Sequence, residues 1–352
     1  MNLESHSSIG RAGVQVSKLG LGTTTMGNLY RAVTESESDA TLILGIQSGI
    51  THIDTAPYYG AGLAEERVGR VVRAQGRDRV TIATKVGRRY RQAAPGEQQD
   101  PEGYVDVPAR FRYWDFSARG IRASLEESLE RMGLDHVDIL YLHDPDDFEE
   151  EACAESFPEL LKMRSEGIVG AIGCGMNQWQ MLTTFVEKFD LDVVLLAGRY
   201  TLLDQSGLGA LLPACIRTGT RVVVGGPYNS GLLANPHPGG TYNYVQAPSE
   251  LVAKAQRLQR VCADFGVPLT AAALQFPFGH PAVASVLTGS RSTREMRDNV
   301  ASFEVEIPDE MWNHLKSAGL LDDEVPVPVN SQTTTRSISR KMTTTNAAGG
   351  AR

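Results

Sequence analysis

Four polar residues of this 352-residue chain have the types and order needed to move a proton to or from a substrate oxygen. Asp54 and Tyr59 lie in His52-Ile53-Asp54-Thr55-Ala56-Pro57-Tyr58-Tyr59-Gly60. Lys85 ends Val80-Thr81-Ile82-Ala83-Thr84-Lys85, and His143 ends Asp138-Ile139-Leu140-Tyr141-Leu142-His143. A phenol is a poor acid or base at neutral pH, so a tyrosine that exchanges a proton needs a neighbour that favours its phenolate. Lys85 is such a cation, and Asp54 is the anion to hold it. Singly, each residue has a plainer reading: a buried lysine–aspartate pair is often structural, a strand-end histidine is often a satisfied polar residue, and a tyrosine usually packs. As a set, each stands at or just beyond an apolar run of strand length, where a parallel barrel collects its chemistry. The expected catalytic residues are therefore Tyr59, Lys85, Asp54 and His143. No His, Cys or Asp cluster has ligand spacing, so no metal is expected.

The elements that must position these residues alternate along the chain. The patterns predict strands over 19–25, around Ile53, ending at Lys85, and over 137–142, 168–174, 193–197, 221–224 and 283–287. Helices are expected over 36–48 with a Ser36 cap, over 64–73, and from a Ser117 cap to Gly133 with Ile121, Leu125, Leu129 and Met132 at helical spacing. Further helices follow over 154–166, 179–189 and 208–217, from a Ser249 cap to Gly266, and over 270–276, 294–300 and 308–318. Eight strands, each followed by helix, predict an α/β fold of the closed (β/α)8 barrel type rather than an open sheet.

Three segments break the rhythm. Residues 88–115 are too long for an ordinary strand-to-helix loop and leave the rim at Lys85, so they are expected to form a substrate-facing lid, with Trp114 a candidate substrate contact. Residues 228–247 are rich in Gly, Pro and Asn and read as a hinged clamp. The domain is expected to span 1–327. The tail over 328–352 carries Arg336, Arg340, Lys341 and Arg352 with no acid, and is expected to be disordered because it has too little apolar surface to repay ordering.

Composition narrows the function classes. The formal net charge is -8, with acids and bases interspersed, which leaves no basic footprint for nucleic acid. The four cysteines are widely separated and read as reduced thiols. Met1 to Gly10 lacks the apolar stretch of a signal peptide, and no run of about 18 apolar residues occurs. A cytoplasmic enzyme acting on small molecules, without nucleic acid or membrane partners, is the expectation; the oligomeric state is open.

In its motifs the chain resembles the aldo-keto reductases from about residue 13 to 320. The resemblance rests on Leu19-Gly20-Leu21-Gly22-Thr23, Asp54-Thr55-Ala56-Pro57-Tyr58-Tyr59-Gly60 and the segment from Gly173 to Asn177. Within that superfamily it is most similar to a branch of sugar 1-dehydrogenases, acting on L-fucose or D-threo-aldoses, and of pyridoxal 4-dehydrogenases. Three words point there: Gly175-Met176-Asn177-Gln178-Trp179, Ala197-Gly198-Arg199-Tyr200-Thr201-Leu202-Leu203-Asp204-Gln205 and Gly225-Gly226-Pro227-Tyr228-Asn229-Ser230-Gly231.

The resemblance implies hydride transfer between a nicotinamide C4 and a carbonyl or alcohol carbon, with Tyr59 exchanging the proton and His143 orienting the oxygen. It implies cofactor contacts from Gly22, Thr23, Asp54, Asn177, Tyr228, Gly231, Leu232, Gly289, Ser290, Arg291 and Asn299. Substrate contacts are implied for Tyr59, His143, Trp114 and Arg199. The chain departs from the family at Gly175-Met176, Ala197, Arg199 and Gly225, so ring support is expected from Tyr228 or Tyr200. Gly289 and Glu295 stand where members preferring the phosphorylated cofactor often carry Lys and Arg. NAD is favoured on that ground, while Arg291 leaves NADP open. The implied reaction is oxidation of an aldose at C1 to its lactone, with Arg88, Arg89, Arg110, Arg112 and Arg199 as donors to hydroxyls. Alternatives are an NADPH-dependent reductase of aldehydes and ketones, a pyridoxal 4-dehydrogenase, or a cofactor-binding regulatory subunit. An aldolase using Lys85 as a Schiff base would want a lysine without a carboxylate partner.

Overall fold

The computed structural model describes residues 1–97 and 102–329. An antiparallel hairpin, β1 (His6–Ile9) and β2 (Val14–Ser17), precedes the barrel. The barrel begins with β3 (Leu19–Gly22), β4 (His52–Asp54) and β5 (Thr81–Val86). A second hairpin, β6 (Arg88–Gln92) and β7 (Arg110–Trp114), interrupts it before β8 (Ile139–His143), β9 (Ala171–Met176), β10 (Val193–Ala197) and β11 (Arg221–Gly225). A two-residue pair, β12 (Thr241–Tyr242) and β13 (Val245–Gln246), precedes the last barrel strand, β14 (Val283–Gly289). Strands β3, β4, β5, β8, β9, β10, β11 and β14 pair in parallel in that order and close back on β3. The expected (β/α)8 barrel is what the chain forms.

Alternation along the strands builds two apolar layers. On β8, Leu140 and Leu142 face the helices, while Ile139 and Tyr141 fill the barrel interior with Ala83, Val193, Leu195, Val223 and Leu287. Ile9 and Val16 of the first hairpin join that inner cluster. Ala83 is inward, so Lys85, two residues on, shares its parity; Thr84 between them faces outward and donates to Glu65 of helix Leu63–Gln75. Side chains at the last inward position of β4, β5 and β8 therefore converge at the carboxyl end of the barrel.

Several local expectations shift for identifiable reasons. The first helix runs Glu35–Gln47 and is capped by Thr34, not Ser36: Thr34 has extended backbone, and its hydroxyl accepts from the Glu37 N–H. Ser249 opens helix Ser249–Asp264 from inside, with Pro248 at the cap position. The strand expected over 19–25 stops at Gly22, where the chain enters a short 3-10 turn, Thr24–Gly27. The helix expected over 154–166 begins earlier, at Glu149, through a π-helical stretch, Ala152–Ser156, into Phe157–Ser165. Of the expected tail, residues 328 and 329 have no regular structure and 330–352 lie outside the described residues. No single helix among the described residues is long and apolar enough to cross a membrane.

The Tyr59 turn is seated by a close backbone approach. Gly60 has φ +66°, and Cβ atoms added at Gly60 and Gly27 would lie 2.3 Å from Gly27 O and 2.5 Å from the Tyr59 carbonyl carbon. Arg67 fixes the opposing turn by donating to Met26 O, Asn28 Oδ1 and Val33 O. Gly27→Ala is therefore expected to lower stability by about 1–3 kcal/mol, the usual cost of overpacking, and to depress turnover by displacing Tyr59. Thermal unfolding together with kcat checks this; an unchanged kcat would show that the turn absorbs the methyl without moving the phenol.

Candidate active site

The four expected catalytic residues meet at one point. Lys85 Nζ donates to Asp54 Oδ2 at 2.6 Å, to Thr55 O at 3.0 Å and to Tyr59 Oη at 2.9 Å. An ammonium has three protons, so these bonds use them all and fix the lysine's direction. The pair is almost wholly buried, with 1% and 3% of the Lys85 and Asp54 side chains exposed. Burial works against the Lys85 cation, but Asp54 and Tyr59 outweigh it and hold the ammonium above its usual range. Burial pushes the Asp54 carboxyl up, with Lys85 opposing. Burial likewise pushes the Tyr59 phenol above its ordinary value, against the pull of Lys85. The lowering expected from Lys85 is thus present but outweighed, and Tyr59 rests as a protonated acid.

His143 completes the set from the end of β8, its ring 6.0 Å from that of Tyr59 and nearly perpendicular to it. Burial, with Arg88 and Lys85 adding to it, holds the imidazole well below its ordinary pKa, so it is neutral. A neutral imidazole carries one N–H and can donate to a substrate oxygen without taking part in charge transfer. These groups open into a cavity of about 460 Å³, within the range of small-molecule sites. Its rim includes Tyr30, Tyr58, Arg88, Trp114, Asp144, Asn177 and Tyr244.

Within 88–115, β6 and β7 pair as a hairpin on one side of this cavity, and the described residues of the segment supply Arg88, Glu102, Tyr104 and Trp114 to its lining. Its arginines are pinned rather than presented as free donors: Arg89 to Asp115 and Glu127, Arg110 to Glu66, Arg112 to Glu102. Only Arg88 of the five expected donors lines the cavity. Arg199 does not line it; its guanidinium bonds Asp204 and Asn243, which ties the β10 end to the loop over 228–247. Tyr200 is fully buried, its ring against Phe276 and His280, and so sits in the core.

The other expected cofactor residues lie around the carboxyl rim. Gly22 ends β3, and Thr23 Oγ1 donates to Asp54 O. Asn299 links two elements, donating to Ser290 Oγ at 3.0 Å and accepting from Tyr228 Oη at 2.8 Å. Gly289 ends β14, and Arg291 precedes helix Thr293–Glu304. Gly231 has open space where a side chain would stand, whereas Leu232 is buried. Asn177 lines the cavity and donates to Ala197 O. A Cβ at Gly175 would lie 3.7 Å from Lys85 Cε, and Ala197 lines the cavity beside it. Gly175 and Ala197 thus present little side chain next to Lys85, which suits a flat ring, and the residues present fit a nicotinamide dinucleotide.

Sequence reasoning passed over Thr24, Tyr30, Tyr58, Asp144 and Tyr244 as cavity residues. Tyr58 was in the motif, and Asp144 directly follows His143, so strand-end position was the available signal for both. Tyr30 and Tyr244 come from loops at positive φ, 63° and 65°, and carried none.

A parallel barrel with a Tyr–Lys–Asp–His set at its carboxyl end defines a class of hydride-transferring oxidoreductases. The model of the Aldo/keto reductase family matches residues 18–319, and the chain belongs to that family. It is 41% identical over 320 residues to D-threo-aldose 1-dehydrogenase from a Pseudomonas species, covering 88% of this chain and 96% of that one. It is 39% identical over 332 residues to pyridoxal 4-dehydrogenase of Microbacterium luteolum, covering 89% and 97%. Among solved structures, the holo form of an aldo-keto reductase from Bacillus halodurans superposes with a TM-score of 0.70 at 23% identity, covering 94% of this chain and 99% of that one, a likeness of fold. The protein is an oxidoreductase of the nicotinamide-using kind.

Proposed function

We propose that the protein oxidises an aldose at C1 to its lactone, with NAD as the favoured cofactor. The observation that carries this reading is the polar rim around Tyr59 Oη: Arg88, Asp144, Asn177 and Glu102 line the cavity together with the phenol and His143. A site built to hydrogen-bond hydroxyls discriminates strongly against analogues that lack them. The two similar dehydrogenases, of D-threo-aldoses and of pyridoxal, support a hydroxyl-bearing substrate.

Residues at the rim would hold the dinucleotide: Asn177, Tyr228 and Gly231 toward the ring end, Gly22 and Thr23 beside Asp54, and Gly289, Ser290, Arg291 and Asn299 at the phosphates. When bound, it supplies the acceptor for the hydride that leaves C1 with its electron pair. The protein's own part is proton handling. His143 directs the C1 oxygen by a hydrogen bond, and Tyr59, once ionised to the phenolate that the Lys85 ammonium 2.9 Å away favours, takes the hydroxyl proton on Oη. Asp54 keeps Lys85 charged and aimed. In the reverse direction the resting, protonated Tyr59 gives its proton to the carbonyl oxygen. The intact set argues against a purely regulatory subunit.

The assay that tests this reading follows formation of reduced cofactor with aldoses and pyridoxal against NAD and NADP. Higher kcat/KM for hydrophobic aldehydes with NADPH would replace it with a general carbonyl reductase. Tyr59→Phe keeps the ring and removes the acid, so turnover is expected to fall by roughly 100-fold or more with cofactor affinity nearly unchanged. Near-normal turnover in that variant would move the proton transfer elsewhere.

Glu295 bears on cofactor choice. Its carboxylate accepts from the Arg291 N–H at 2.8 Å, while its own N–H donates to the Ser292 cap. An anion at this helix start favours the cofactor without a 2′-phosphate. Glu295→Gln keeps the shape of the cap and removes the charge, and is expected to raise the NADP-to-NAD ratio of kcat/KM. An unchanged ratio would separate Glu295 from the adenosine end of the site.

A further inference from the structure

We propose that Asp144 selects substrates with a hydroxyl on the carbon next to the reacting one, by accepting that hydroxyl's hydrogen bond. This deepens the aldose reading and rests on it for the position of the reacting oxygen.

Asp144 directly follows His143, and its backbone has φ +43°, a left-handed conformation that a side-chain-bearing residue adopts at a cost. Its N–H is tied to Gly175 O at 3.1 Å, which fixes the turn at the top of β8 and β9. That geometry sets the carboxyl in the cavity wall, where it lines the same space as Tyr59 and His143. Asp144 Oδ2 accepts from Arg88 at 2.6 Å and lies 3.6 Å from His143 Nε2. Among the described residues no hydrogen bond reaches Oδ1, and a quarter of the side chain, 25%, remains exposed. The carboxylate therefore has acceptor capacity left, on a residue that lines the cavity.

An otherwise buried carboxylate is costly, and burial pushes this one up to about 6, with Arg88 opposing and Asp146 adding to the effect. A site for apolar carbonyls gains nothing from it. If His143 directs the reacting oxygen, the neighbouring carboxylate stands where the oxygen on the adjacent carbon of a polyol would lie. Arg88 holds it there and can itself donate to the same or the next hydroxyl. Arg88 also stacks over the Tyr58 ring at 4.4 Å, and Tyr58 donates to Glu102, so the Asp144–Arg88 pair is braced by the hairpin that covers the cavity.

The other reading is that Asp144 merely anchors this hairpin through Arg88. Substrate pairs separate the two. The test measures kcat/KM of wild type and of Asp144→Ala and Asp144→Asn for reduction of 2-hydroxypropanal and of propanal, and for oxidation of an aldose and of its 2-deoxy analogue. Wild type is expected to prefer the hydroxylated member of each pair. Asp144→Ala should lose roughly 10- to 100-fold on that member, the worth of a hydrogen bond to a charged group, and change within about threefold on the other. Asp144→Asn, which keeps an acceptor oxygen but not the charge, should fall between. Equal losses on both members, or no preference in wild type, overturn the proposal, as does absence of turnover with all four. If no aldose is oxidised but the 2-hydroxypropanal preference appears and depends on Asp144, the aldose reading fails and the role of Asp144 stands.

Discussion

The buried bond between Lys85 and Asp54 is the interaction on which the site depends. Removing one partner from such a pair commonly costs about 3–5 kcal/mol, because the other charge is left without compensation. Here the pair also spans two neighbouring barrel strands, β4 and β5, so its geometry is set by their register, Asp54 beside Ala83 and Lys85 two residues on. With all three ammonium protons committed, Lys85 has one orientation, and the Tyr59 phenol is placed by it. The rest of the fold serves that placement: Gly27 and Gly60 admit the turn that brings Tyr59 over the strand ends, and Arg67 braces the opposing loop.

A second constraint comes from the hairpin beyond β5. Arg89, Arg110 and Arg112 are locked into ion pairs with helices and with Asp115 and Glu102, which fixes the wall of the cavity instead of offering loose donors. Tyr58 lies under the Arg88 and Arg112 guanidiniums and edge-on to His143. Substrate thus meets a wall of aromatic faces with charges held behind them. Arg88, Glu102, His143, Asp144 and Asn177 are among the polar groups that line the cavity beside Tyr59 and Lys85.

The barrel was legible because its signal repeats: apolar runs of strand length alternate with helical spacing, and one misplaced end does not change the count. That the candidate catalytic residues would meet was legible because strand ends converge. Ser36 against Thr34 was not, since both can cap and only the backbone conformation chooses. All the arginines but Arg88 were misread because charge alone cannot show whether a partner waits nearby; Glu66 and Glu127 lie on helices distant in sequence from Arg110 and Arg89. Tyr200 looked available as a ring platform, yet its position after β10 turns it inward onto Phe276. Tyr244 enters the cavity rim from a loop whose path no local pattern encodes.

The central claim is that Lys85 governs the ionisation of Tyr59. If Tyr59 accepts the proton in alcohol oxidation, as proposed, burial holding its pKa above the ordinary phenol value predicts a rate that rises as pH increases toward the alkaline range. The pH dependence of kcat/KM for oxidation, measured in wild type and in Lys85→Met, tests this most directly. Loss of the cation removes the largest influence that favours the phenolate, leaving only the Thr24 hydrogen bond, so the variant's rising limb should move to higher pH with a large fall in rate. A Lys85→Met profile with the same shape and midpoint as wild type would contradict the account.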